Sequence, residues 1–132
     1  MYWTDLPNFS QKLMEIVFSK PPKIDKINNI KITIESEEER IIFHFDLVDC
    51  LPDNPPQKWV NRKFNRSQIR LSCIKVFDFD ISSNFIESSK PVAINFDLTE
   101  GNNRLKIMDD TFQIEISCDF IGIEEFSVYY QE

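Results

Sequence analysis

Glycine is nearly missing: two residues in 132, against a usual share of roughly 7%. The glycine-lined phosphate cradles of nucleotide-binding loops therefore have no material to be built from. Histidine is rarer still. With His44 alone, a multi-histidine metal site is excluded by counting. The three cysteines, Cys50, Cys73 and Cys118, are odd in number, widely spaced and free of any CxxC pair, so they read as buried, reduced thiols. Positive charge is also short. Fifteen basic against 22 acidic residues give a net charge of -7 and a pI near 4.7, which argues against general attraction to nucleic acid or anionic lipid. No apolar run approaches the roughly 18 residues of a membrane span, and no calcium-loop pattern of alternating acids around a glycine occurs. The start Met1-Tyr2-Trp3-Thr4-Asp5 has neither a basic leader nor an apolar signal segment, from which a cytoplasmic location is expected.

What is present is aromatic and β-branched. Twelve phenylalanines and 42% hydrophobic residues in a chain of this length are enough for one folded domain over 1–132. Only the first stretch has helical spacing. Phe9, Leu13, Ile16 and Val17 would share a side, Asn8 would cap, and Pro21-Pro22 forbids continuation, which predicts one short helix at about 9–19. The period then changes to two. Ile30, Ile32 and Ile34 alternate with polar residues, as do Ile41, Phe43, Phe45 and Leu47, and the polar link 36–39 predicts a hairpin between them. Pro52, Pro55 and Pro56 mark 50–66 as the longest loop. A strand resumes at Ile69, Leu71 and Cys73, but its apolar phase slips through Ile74 and Val76 to Phe77, Phe79 and Ile81, which means a β-bulge or a strand buried on both faces. Further strands are expected at 92–98, at 105–107 after the turn Glu100-Gly101-Asn102-Asn103, at 112–120 and at 126–130. The fold class expected is mainly β: an antiparallel sandwich or open barrel of seven to eight strands with one short N-terminal helix.

No motif assembles a reaction centre, and no cofactor is expected. The acidic pairs Asp109-Asp110 and Glu124-Glu125 fall near expected turns and read as solvated acids. His44 reads as part of a polar strand face, with a pH-sensitive partner contact as the alternative. Two charged stretches stand out. Lys58, Arg62, Lys63, Arg66 and Arg70 occur without an intervening acid, leaving 10 basic against 22 acidic residues elsewhere. With Trp59 and Phe64 interleaved, this stretch resembles a single-strand nucleic-acid patch in miniature, although the acidic remainder repels a polyanion. Pairing within the protein, or contact with an acidic patch of a protein partner, is the competing reading. Glu35, Glu37, Glu38 and Glu39 form the converse patch at the hairpin tip. Such a cluster discourages strand pairing, or acts as a decoy that draws in a basic partner.

The order of these signals resembles the immunity protein 50 family of bacterial polymorphic-toxin systems. The resemblance is carried by Trp3-Thr4-Asp5-Leu6-Pro7, the helix, the early hairpin, Pro56-Gln57-Lys58-Trp59, Gln68-Ile69-Arg70-Leu71 and Ile114-Glu115-Ile116-Ser117-Cys118. It implies a small, non-catalytic cytoplasmic protein that binds a cognate toxin and occludes its active site or an adjacent exosite. Glu35, Glu37, Glu38, Glu39, Trp59 and Arg62 are the partner-binding candidates, Trp59 on condition that its ring is exposed. Neither nucleic acid nor membrane is an expected partner. The alternative function is a carrier: a β-barrel or sandwich holding an apolar small molecule in a phenylalanine-lined cavity.

Overall fold

A computed structural model describes residues 2, 5–7, 11–83, 91–108 and 112–132. Its elements are α1 (Gln11–Val17), β1 (Lys26–Glu35), β2 (Arg40–Leu47), α2 (Gln57–Asn61), β3 (Arg66–Ser83), β4 (Val92–Asp97), β5 (Asn103–Met108) and β6 (Phe112–Tyr129). The six strands form an antiparallel closed barrel in the order β1-β2-β3-β6-β5-β4. The mainly β class stands, with fewer strands than the seven to eight expected. The difference arises in β6. The segments 112–120 and 126–130 are one continuous strand, because the residues read as a turn, Glu124-Glu125, hold a one-residue bulge. Arg70 faces Glu125 and Leu71 faces Ile123, leaving Glu124 as the extra residue. Gly122 serves a different need within this strand. A Cβ there would lie 2.8 Å from the Phe120 ring and 3.3 Å from the Pro7 carbonyl oxygen. That carbonyl accepts the Ile123 N–H at 2.8 Å, so the missing side chain lets the N-terminal segment dock onto β6.

The helical pattern is corrected in its facing. Asn8, Phe9 and Ser10 lie outside the described residues. Within α1, Ile16 is 61% exposed, whereas Met14 and Val17 are fully buried and Phe18 nearly so. Positions 14, 17 and 18 share one side of a helical turn, and Phe18 meets Phe126 edge-on with centroids 5.3 Å apart. The chain leaves the helix at Val17, where Ser19 donates its N–H to Asp53 Oδ1 at 2.8 Å and its hydroxyl to Asp53 Oδ2. A second helix, α2, was not anticipated. Pro56 precedes its first residue, and the Trp59 N–H donates to the Pro56 carbonyl at 2.9 Å.

The expected hairpins form. Glu35 pairs with Arg40 across the loop 36–39, where the Glu39 N–H donates to the Ser36 carbonyl at 3.3 Å. Gly101 turns β4 into β5 with φ 76°, a conformation glycine adopts without Cβ strain. The buried core is lined by Ile27, Phe43, Phe45, Ile69, Leu71, Leu105, Ile107, Ile114, Ile116 and Ile123. Each large side chain there contributes roughly 1.5–3 kcal/mol by leaving water. The β1 alternation is less buried than its pattern implies. Ile34 is 51% exposed and Ile30 and Ile32 are half-buried. Only Lys26 and Ile27 pair with β4, and the register breaks between Asn28 and Lys31, so the rest of β1 has β2 alone beside it among the described residues.

Candidate functional site

The question left open for β3 is resolved as a bulge. Its register with β6 shifts between Val76 and Asp78, next to Lys75 with φ 55°. Its two halves have different surroundings. Gln68–Cys73 pairs with β2 on one side and β6 on the other, whereas Asp78–Ser83 pairs with β6 alone among the described residues. The hairpin tip is attached where the halves meet: the Val76 N–H donates to the Glu39 carbonyl at 2.8 Å. Glu37, Glu38 and Glu39 thus lie beside the start of a strand segment that carries exposed Asp78 and Asp80. The sequence shows these acids as two separate groups; the fold joins them into one region.

The tip acids are not equivalent. Arg40 donates through Nε to Glu35 Oε1 at 3.1 Å and through Nη2 to Oε1 at 2.8 Å and Oε2 at 3.2 Å. It also lies 3.4 Å from Glu38 and 3.8 Å from Glu124. The hydrogen bond to Glu35 chiefly raises the Arg40 pKa above its ordinary value, so this charge is permanent. Glu35 is therefore held inside the protein's own network. Glu37 and Glu39 are exposed and, among the described residues, carry no ion pair. Glu124 continues the network to Arg70 at 3.1 Å and accepts from the Ser72 hydroxyl.

The basic stretch divides similarly. Arg70 is engaged with Glu124, although its Nε lies within ion-pair distance without hydrogen-bond geometry. Lys63 sits 6.0 Å from the Tyr130 ring centre, and Arg62, exposed just past α2, reaches the Val128 carbonyl at 3.5 Å. Trp59 fails the condition set for it as a contact. It is 6% exposed and packs between Phe64, at 6.5 Å, and Phe126, at 6.2 Å between ring centres. Helix α2 turns this ring inward, which also takes it out of reach of a stacking base.

Asp46 is wholly buried, accepting from the Tyr129 hydroxyl and from Asn29 Nδ2 at 3.3 Å, while its Oδ1 has no partner. Burial, then this carboxylate, raises the Tyr129 pKa. Burial lowers that of His44, helped by Arg70 and Lys31. The Cys118 sulfur and burial together keep Cys73 a thiol. Among the described residues no three His, Cys, Asp or Glu side chains converge to hold a metal ion. Among the described residues, one surface concavity of about 360 Å³ is lined by Leu47, Asp49, Cys50, Leu51, Asn65 and Arg66, and another of about 60 Å³ by Asp80, Met108, Gln113, Ile114 and Glu115. Neither is lined by phenylalanine.

These features describe a small acidic β-barrel whose distinguishing parts are a charged hairpin tip and a one-sided strand. The family model for immunity protein 50 matches residues 10–129, and the chain belongs to that family. No curated protein and no solved structure matches it.

Proposed function

We propose that this protein neutralises a cognate toxin by non-catalytic binding in the cytoplasm, covering the toxin's active site or an adjacent exosite. Membership of the immunity protein 50 family carries the reading. The charge distribution supports a toxin with a basic contact surface: Glu37 and Glu39 are exposed at the tip, in a chain of net charge -7. Carboxylates so placed accelerate encounter with a cationic surface by about 10- to 1000-fold at low salt. Arg62, exposed just past α2, serves as a secondary contact.

The test is co-expression with the toxin encoded beside this chain, in a host the toxin kills, together with purification of the complex. Growth rescue with a stoichiometric complex is the expected result. Failure to bind overturns the reading. Charge reversal of Glu37, Glu38 and Glu39 to lysine is expected to slow association by about tenfold or more, and to leave folding intact. Unchanged affinity and association rate would remove the tip from the interface.

A further inference from the structure

We propose that the free edge of β3, Asp78–Ser83, is a docking strand on which an extended basic segment of the toxin adds as a further strand. The inference rests on the toxin-binding reading and names where the toxin pairs. The segment is held in strand geometry by β6, with Asp78 facing Ser117, Phe79 facing Ile116, Asp80 facing Glu115 and Ile81 facing Ile114. No described strand takes its other side. A strand with one paired edge presents unpaired backbone N–H and C=O groups along the other, and these supply the affinity in strand addition, while alternating side chains supply the choice of partner.

The side chains specify a cationic, part-apolar occupant. Phe77 is 61% exposed and Phe79 48%, whereas the core phenylalanines Phe18, Phe43, Phe45 and Phe126 are all buried. Apolar side chains on the incoming strand would cover the row to which Phe79 and Ile81 belong. On the opposite face Asp80 and Glu115 are directly cross-strand, a like-charge pair, with Lys106 facing Glu115 from β5 on its other side and leaving Asp80 as the acid on the open edge. Both are exposed and, among the described residues, neither has an ion pair. The 60 Å³ recess they line with Met108 and Gln113 suits a lysine or arginine, its stem along the thioether and its charge between the carboxylates. The exposed tip acids Glu37 and Glu39 lie next to this segment in the fold, where the Glu39 carbonyl accepts the Val76 N–H.

The same residues disfavour a second copy of this chain. Antiparallel self-pairing in one set of registers places Asp78 and Asp80 opposite each other or themselves. In the other set it moves the acids onto the phenylalanine face. A basic segment meets neither obstacle.

The test is amide hydrogen exchange on the full chain, free and bound to the toxin encoded beside it. A parallel titration uses a short synthetic peptide alternating lysine with valine, and the same peptide N-methylated at alternate residues. Slower exchange across Asp78–Ser83 in the complex is expected, with peptide binding abolished by N-methylation and weakened about tenfold or more by Asp78→Lys with Asp80→Lys. A toxin complex whose exchange changes lie elsewhere overturns the docking strand and leaves the immunity reading intact. If the toxin does not bind, the immunity reading fails, and the peptide decides the edge: binding abolished by N-methylation supports a docking strand for basic segments, and no binding overturns it. Sedimentation of the free protein as a dimer that Asp78→Lys dissociates or tightens overturns the choice of occupant.

Discussion

The two halves of β3 belong to one strand and share one neighbour, yet they serve different ends. In Gln68–Cys73, flanked by β2 and β6, Ile69, Leu71 and Cys73 are fully buried. In Asp78–Ser83, flanked by β6 alone among the described residues, apolar and acidic residues still alternate but stay in contact with water. The periodicity hardly changes across the bulge; the second neighbour does. Burial is therefore a property of pairing as much as of pattern, and a strand can build the core along one half and remain open along the other.

The largest expected effect tests the paired half. Leu71→Ala should destabilise the protein by about 2–5 kcal/mol, read as a lower denaturant midpoint, because it removes a wholly buried side chain from a packed core. Trp59→Ala should cost a similar amount, about 3–5 kcal/mol, since the ring closes on Phe64 and Phe126. A loss no larger than that of a surface substitution would mean the α2 contact is peripheral. Phe79→Ser, on the open half, should shift stability by less than about 1 kcal/mol while weakening toxin binding. A large stability loss there would erase the contrast between the halves.

The smallest effect concerns pH. The folded pKa of His44 is depressed, so at mildly acidic pH the unfolded chain takes up its proton first. Stability should decline as pH falls through the unfolded value of about 6.5, and His44→Gln should flatten that part of the stability curve without altering it above pH 8 or so. An identical acid limb in the variant would assign the slope to other groups.

Much of the framework was legible. The polar link 36–39 and the glycine turn at 101 announce their hairpins, and the slipped phase after Cys73 marks the bulge. The cross-strand pair Glu35–Arg40 was within reach, because a four-residue loop places those two residues opposite each other. Other features were not legible, for physical reasons. A five-residue helix is too short to show a period, so α2 and the inward turn of Trp59 depend on tertiary packing. A single-residue bulge leaves both its flanks in strand conformation, so Glu124-Glu125 resembles a turn in composition only. Exposure of Ile16 and Ile34 depends on what lies beside them, as does the open edge of β3. Alternation reports that a strand has two faces, and is silent on which edges are paired.

The most direct measurement is residue-resolved amide hydrogen exchange of the free protein along β3. Uniformly slow exchange is expected from Gln68 to Cys73, and a one-in-two pattern from Asp78 to Ser83, with the N–H groups aimed at β6 protected and those aimed away exchanging quickly. Uniform protection along the whole strand would show that both halves are paired on both sides, and would contradict the division of β3 into a core half and a docking half.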